Sequence, residues 1–443
     1  MAGRIGIAAL ALTGALVACG AADEQPRSVV LVVVDTLRAD ALESYGAPPG
    51  SAPAVRAIAR RGTVIEAVFA SAPWTGPSVV AMLTGRYPDE VGVRELRDPL
   101  PESVTTLAQR FQRAGYVTGS VVSNALAGPP YGHDKGYDFL HFERYKEGPG
   151  EAPTFRADAV VDAALPWLEE RLAHPQRPFF LYLHTCDPHE PYLPVEPFAE
   201  RFTADTEPLD DELILSQGYV RERMGSATLE ALRARYAAEV AAADAALARL
   251  FERLPEDVLV TVISDHGEEF LEHDGLLHGH TLYQELLHVP WILAGPGVPA
   301  GRVGARVSHV DLPPTLLELA GVPFDPLDFS GHSVVPALRG EPLAPSPRPL
   351  HAVLEDGSRH TLSLRRGRWK LVHGLRRGNT RLFDLESDPD ESRDVSAEHP
   401  ELTAELLQLA LGRLEAIVPI DEVEDPARAA AREAELRAIG YAR

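Results

Sequence analysis

A continuous run of apolar, mostly β-branched residues at 29–34 is followed by similar short, largely apolar runs at 117–122, 179–183, 258–263 and 289–293. Runs of this length without polar alternation are expected of strands buried on both faces. Between them, residues 104–114, 157–172 and 229–254 carry apolar side chains at helical spacing. The alternation predicts an α/β fold: a mostly parallel central sheet with helices on both faces. From about residue 350 the pattern changes. Alternating segments at 360–365, 369–372 and 381–385 are separated by Gly, Asn and Asp turns, and a helical stretch follows over 400–417. This reads as a small C-terminal antiparallel sheet closed by a helix, with expected domains of 27–345 and 346–443. The charged, Ala-rich end at 426–439 reads as a surface helix, and the basic run 365–370 as a solvated hairpin.

Polar residues cluster where the apolar runs stop. Asp35 ends the first, Asn124 the second and His184 the third, with Asp187 and His189 just beyond; Asp265 and His266 end the fourth. Open α/β sheets bind ligands beyond the carboxyl ends of their strands, so this topology gathers dispersed residues along one edge. Asp35, Asp265 and His266 offer two carboxylates and an imidazole, good ligands for a divalent ion, and Gly267 permits a sharp turn after them. Thr75 adds an oxygen. Thr75-Gly76-Pro77-Ser78 looks like a helix start, with proline in the first turn. Backbone N–H groups and the dipole at such a terminus hold an anionic ester, and a metal-bound hydroxyl there is easier to deprotonate. The competing reading makes Thr75 a helix cap. His184, His189, His278 and His280 suit proton delivery, contact with anionic oxygens or, with Asp187, a second metal. Catalytic roles are expected of Thr75, His189 and His278. Substrate contact is expected of Asn124, His184, His280 and Trp74, with core packing the alternative for Trp74.

Composition narrows the partners. The 443 residues are 45% hydrophobic and 24% charged, with a net charge of −23. So acidic a chain is a poor general binder of nucleic acid, and an anionic substrate would need local positive charge from a metal or clustered basic groups. Arg4, the apolar run 5–18 and the ending Leu16-Val17-Ala18-Cys19 read as a secretion signal over residues 1–22, shorter than a comfortable membrane span. That ending resembles a bacterial lipoprotein box. It implies export, lipidation of Cys19 and an anchor on the periplasmic side of the envelope, with Gly20 pointing to the outer membrane. Cys186, the other cysteine, would then have no disulfide partner and is expected to be inert.

The stretch Ala72-Pro73-Trp74-Thr75-Gly76-Pro77-Ser78, running on to Leu83-Thr84-Gly85-Arg86, resembles the sulfatase signature. So do Val32-Val33-Val34-Asp35-Thr36-Leu37-Arg38, Asp187-Pro188-His189 with Pro191-Tyr192, Ser264-Asp265-His266-Gly267-Glu268 and Leu382-Phe383-Asp384-Leu385. The resemblance implies membership of the sulfatase branch of the alkaline phosphatase superfamily. It implies that Asp35, Asp265 and His266 bind metal, that Thr75 holds the nucleophile position, and that His189 and His278 contact the transferred or leaving group. Four positions depart: Thr75 stands where formylglycine forms, Val79 where an arginine supports it, Thr36 where a second aspartate is common, and Asn124 near where a lysine is usual. Threonine cannot become formylglycine. The expectation is a metal-dependent hydrolase of sulfate or phosphate-type esters on a small molecule, glycan or lipid. Calcium, zinc, manganese and magnesium all stay open as the ion, and a second ion stays open beside it. The alternatives are a phosphodiesterase or phosphotransferase acting on envelope lipids or glycans, and a catalytically lapsed glycan-binding homologue.

Overall fold

Strand β1 (Val29–Val34) has every residue buried, because helices cover both faces of its sheet. The structure, a computed structural model, describes residues 26–143, 156–209, 225–343, 349–418, 420 and 424–438. The expected signal, with Cys19, lies outside the described residues. After β1 come β2 (Thr63–Phe69), β3 (Val117–Val122), β4 (Phe139–Phe142), β5 (Phe179–Thr185) and β6 (Leu259–Ile263). The short pair β7 (Glu269–Phe270) and β8 (Leu276–Leu277) follows, then β9 (His288–Ala294) and β10 (Gly301–Ser308). Eight of these form one sheet in the order β10-β2-β9-β6-β1-β5-β3-β4. β9 pairs antiparallel with both β2 and β6, and every other pairing is parallel.

Alternation along each strand divides the core in two. Val29, Leu31 and Val33 pack with residues of helices Thr75–Thr84, Leu107–Arg113 and Leu312–Ala320. Val30, Val32 and Val34 pack with residues of helices Pro53–Arg61, Ala157–Ala173 and Ser226–Phe251. This is the doubly covered sheet that continuous apolar strands require.

Strands β11 (Leu350–Asp356), β12 (Arg359–Arg366), β13 (Trp369–Gly374) and β14 (Thr380–Asp384) form the antiparallel C-terminal sheet. Helix Pro400–Glu415 closes it, burying Leu406 and Ala410 against Leu362, Leu364, Leu371 and Leu382. One reading needs correction here. The basic run is not wholly solvated, since Lys370 is 1% exposed and ion-paired to the buried Glu391. The terminal helix Pro426–Ala438 is the expected surface helix, docked along one face, with Arg432, Glu435 and Leu436 buried at helical spacing. Leu436 meets Leu126 and Tyr131, beside Trp74.

Candidate active site

Asp35 follows β1 directly, and the chain then turns through Thr36 with φ at +52°. A β-branched residue in the left-handed region costs about 1–2 kcal/mol. The turn is held from both sides: the Thr36 N–H donates to Asp265 Oδ1 at 3.2 Å, and Tyr236 Oη donates to the Thr36 carbonyl at 2.8 Å. Asp265 Oδ1 also accepts from the His266 N–H at 2.9 Å. Gly267 is needed for a different reason from the turn expected: a Cβ there would lie 1.9 Å from the Glu285 carbonyl oxygen. The close approach lets the Gly267 N–H donate to Leu286 at 2.8 Å, which fixes His266 in place.

Helix Thr75–Thr84 is buried along its whole length, and its N-cap is Trp74, with no side-chain cap bond. Thr75 is therefore the first helical residue and does not act as the cap. Its Oγ1 lies 3.4 Å from His266 Nε2 and accepts from Asn124 Nδ2 at 3.3 Å. Asn124 Nδ2 also donates to Asp35 Oδ2.

His184 completes the cluster. Its Nδ1 meets Tyr182 Oη at 2.8 Å. Its Nε2 lies 3.7 Å from Asp35 Oδ2 and 3.8 Å from Asp265 Oδ2. His266 Nε2 is 3.4 Å from Asp35 Oδ1 and 3.6 Å from Asp265 Oδ2. All four of these side chains are wholly buried, yet Asp35 Oδ1, Asp265 Oδ2 and His184 Nε2 have no hydrogen-bond partner. Those separations are too long for hydrogen bonds. The two from His266, 3.4 and 3.6 Å, match the ligand-to-ligand edges, roughly 3.3–3.6 Å, of a tetrahedron with metal–ligand bonds of about 2.0–2.2 Å, and the two from His184 are slightly longer. The residues present thus fit a divalent ion held by Asp35, Asp265, His184 and His266, with Thr75 alongside.

Electrostatics agree. Burial pushes the Asp35 carboxyl up, but His184, His189 and His266 outweigh it and hold the group ionised. Burial, and then the charge of Asp35, push Asp265 upward, a conflict of like charges that a cation relieves. Burial lowers His266. Its Nδ1–H donates to the Gly267 carbonyl at 2.9 Å, so Nε2 keeps its lone pair.

A second group borders this one. The His278 ring lies tilted 4.5 Å from His266 and edge-on 4.7 Å from His189, centroid to centroid. Its Nδ1 contacts Glu268 Oε1 at 2.9 Å and Glu190 Oε2 at 3.6 Å. Burial opposes its charge, but Glu190 and Glu268 push the imidazole up to about 10. His189 is likewise raised against burial, chiefly by Glu190. The His278 ring is therefore cationic at neutral pH, and His189 is shifted toward the same form. The spacing of histidines gave no sign of Glu190 and Glu268, the carboxylates that charge them; only the adjacency of Glu190 to His189 and of Glu268 to the Asp-His pair pointed that way. His280 is engaged by Glu269 at 2.7 Å and by the His278 carbonyl at 3.1 Å. Asp187 Oδ2 accepts from the Ala157 N–H at 2.8 Å, stabilising the start of helix Ala157–Ala173. Half-buried Trp74 lies against Gly76. Burial pushes the Cys186 thiol far above its ordinary range, in keeping with an inert cysteine.

The family model described as Sulfatase matches residues 27–322, well over half of the 443-residue chain. The chain belongs to the sulfatase family. A second family model, N-sulphoglucosamine sulphohydrolase, C-terminal, matches residues 272–414. Choline-sulfatase of Rhizobium meliloti (strain 1021) is 25% identical to this sulfatase-family protein, covering 84% of this chain and 83% of its own. Arylsulfatase K of Homo sapiens is 28% identical, covering 91% and 85%. Among solved structures, one in complex with its substrate D-glucosamine-2-N,6-O-disulfate superposes with TM-score 0.72 at 19% identity, covering 88% of this chain and 98% of its own. Phosphonate monoester hydrolase of Agrobacterium radiobacter gives TM-score 0.72 at 21% identity, covering 88% and 95%. The protein is a sulfatase-like hydrolase. Enzymes of this family use a divalent metal ion, for which the buried ligand group is suited.

Proposed function

We propose that this sulfatase-family protein is a metal-dependent hydrolase in which unmodified Thr75 is the nucleophile, acting preferentially on phosphodiester or phosphonate-type esters. The observation that carries the reading is the placement of Thr75 Oγ1: first in its helix, free of capping, between Asn124 Nδ2 and His266 Nε2. When bound, a divalent ion would neutralise Asp35 and Asp265 and make a hydroxyl beside it more acidic. Thr75 Oγ1 gives up its proton to solvent water and attacks phosphorus, and the Asn124 amide donates to that oxygen and to Asp35. The N-terminus of helix Thr75–Thr84, the imidazolium of His278 and the ring of His189 hold the anionic oxygens. The bond to the leaving oxygen breaks as the His278 imidazolium protonates it, and water then cleaves the phospho-threonine, its oxygen bonding to phosphorus and a proton returning to Thr75 Oγ1.

Phosphorus is favoured over sulfur for a chemical reason. Formylglycine releases sulfate through its second geminal hydroxyl. A sulfated threonine has no such hydroxyl and needs a slower direct hydrolysis. Phosphonate monoester hydrolase shares the fold, so the scaffold accommodates attack at phosphorus.

The test is turnover of an aryl phosphodiester beside an aryl sulfate, with several divalent ions, by the purified protein and by Thr75→Ala. Phosphodiester hydrolysis that falls at least a thousandfold in the variant, about 4 kcal/mol of transition-state stabilisation, is the expected result. Sulfate turnover that survives in the variant would overturn the assignment of Thr75. Binding of sulfated or phosphorylated glycans without turnover under any ion would favour a lapsed, glycan-holding homologue.

A further inference from the structure

His184 reaches the centre from β5, where the backbone gives it little freedom. β5 lies between β1 and β3, and His184 is in register with Val33 on one side and Val122 on the other. That register sets the imidazole next to Asp35, which follows β1. The side chain is wholly buried, so contact with a substrate arriving from solvent is a poor account of it. Its Nδ1 is occupied by Tyr182 Oη at 2.8 Å, while its Nε2 has no hydrogen-bond partner. That free nitrogen stands 3.7 Å from Asp35 Oδ2 and 3.8 Å from Asp265 Oδ2, both too far to be hydrogen-bonded. Asp35, His184 and Asp265 each bring one ligand atom to a point where all lie within 4.8 Å of one another.

We propose that His184 is a metal ligand and that this centre is built for a zinc-like borderline ion in preference to calcium. The inference rests on the reading that the centre holds a divalent ion, and does not require that Thr75 attack the substrate.

Three features support it. The donor set is mixed, with two carboxylates from Asp35 and Asp265 and two imidazoles from His184 and His266. Calcium takes six to eight oxygen ligands and favours carboxylates, whereas zinc combines His nitrogen with carboxylate oxygen in sets of about four. The residue after Asp35 is Thr36, whose hydroxyl adds no negative charge and is itself buried without a partner. Finally, each histidine has the outer contact that orients a metal-binding imidazole. For His184 it is Tyr182 Oη at 2.8 Å; for His266 it is the Gly267 carbonyl at 2.9 Å. Because Tyr182 and His184 are two apart in one strand, they share a face, and the strand itself builds the ligand together with its support.

The experiment is a metal titration of the full chain, stripped of ions, by calorimetry with Zn²⁺ and with Ca²⁺. Co²⁺ serves as an optical probe, because its visible absorption reports nitrogen ligation and low coordination number. The expected result is Zn²⁺ binding at least a hundredfold tighter than Ca²⁺. His184→Ala should weaken Zn²⁺ by at least tenfold and alter the Co²⁺ spectrum, and Tyr182→Phe should weaken it by about tenfold through the lost orienting contact. Circular dichroism checks that each variant is folded; should His184→Ala fail to fold, His184→Asn and Tyr182→Phe carry the test. Tighter binding of Ca²⁺ than Zn²⁺, or a Zn²⁺ affinity and Co²⁺ spectrum unmoved by these substitutions, would overturn the proposal. The titration reads binding alone. A protein that binds Zn²⁺ through His184 yet hydrolyses no phosphodiester would defeat the reading of Thr75 and leave this one standing.

Discussion

Glu268 is two residues beyond His266 and wholly buried, and both of its oxygens are committed. Oε1 lies 2.9 Å from His278 Nδ1, and Oε2 accepts from Tyr192 Oη at 2.8 Å. An unpaired carboxylate so deeply placed would be costly, so its charge is balanced by the imidazolium it creates. Glu268 thereby acts through His278, fixing the ring and keeping it cationic where anionic oxygens arrive. Glu268→Gln keeps the shape and one acceptor but removes the charge. A hydrogen bond to a charged group contributes about 1.5–3 kcal/mol, so kcat/KM for the phosphodiester should drop about 10- to 100-fold with the fold intact. Because a neutral His278 also binds the anion less well, KM should rise along with the fall in kcat. A variant that matches the parent in both constants would remove Glu268 from any role in the site.

Elements bring these residues together, and His309 shows how. It follows β10, and its Nε2–H donates to the Ser264 carbonyl at 3.0 Å, immediately before Asp265. Its Nδ1 accepts from the Ser71 N–H at 3.3 Å, on the segment leading to Thr75. One ring thus joins the ends of β10, β6 and β2, and only the neutral tautomer fits both bonds. Burial lowers its pKa from 6.5 to about 3. The sign follows: above 6.5 the ring is neutral folded or unfolded, and on acidification the unfolded chain takes up the proton first. Stability is therefore whole above pH 6.5 and is lost as pH falls toward 3, at up to about 1.4 kcal/mol per pH unit. His309→Gln should remove that increment from the slope of unfolding free energy against pH, measured by denaturant titration. An unchanged slope would show that the folded state protonates His309 freely. The sequence announced the interior strands well: β1 and β3 fall on their apolar runs residue for residue. β2, β4 and β10 were not legible. β10 alternates Gly and Arg with Val along an exposed edge, and β2 carries Glu66 and half-buried Ala67 in mid-strand. β9 reads like its parallel neighbours, since burial on both faces erases any mark of direction. Asp35, Thr75, Asp265 and His266 could be read because each ends or begins an element. The support from Tyr182, Glu190, Glu268 and His309 could not, because those contacts are made between segments distant in sequence or depend on side-chain reach.

At the scale of the molecule, the C-terminal sheet is tied to the catalytic sheet by a few buried polar contacts around a cleft of 1190 Å³ lined in part by His273, Tyr283, Arg365 and Glu391. The Arg365 guanidinium lies 4.0 Å from the Phe69 ring centroid, at the end of β2. His273 stacks on Tyr283 at 3.6 Å and bonds Glu285 at 2.7 Å. The centre of the junction is Lys370 on β13, whose Nζ is 2.8 Å from Glu391 Oε1 and 2.9 Å from Oε2. Glu391 Oε2 also accepts from the Gln284 N–H at 2.7 Å, on the segment that follows His278 and His280. The seam falls inside the C-terminal family match, which begins at residue 272, and through Glu391 the later sheet holds the segment that follows His278. Such a pair adds little net stability when intact, but breaking it strands a charge. Lys370→Met should therefore cost about 3–5 kcal/mol in chemical denaturation. The pair of changes Lys370→Met and Glu391→Gln should cost far less, because the amide still accepts from Gln284 and no charge is left buried. Equal losses in the single and double variants would mean that Lys370 contributes only packing, and that the junction is held by its apolar contacts.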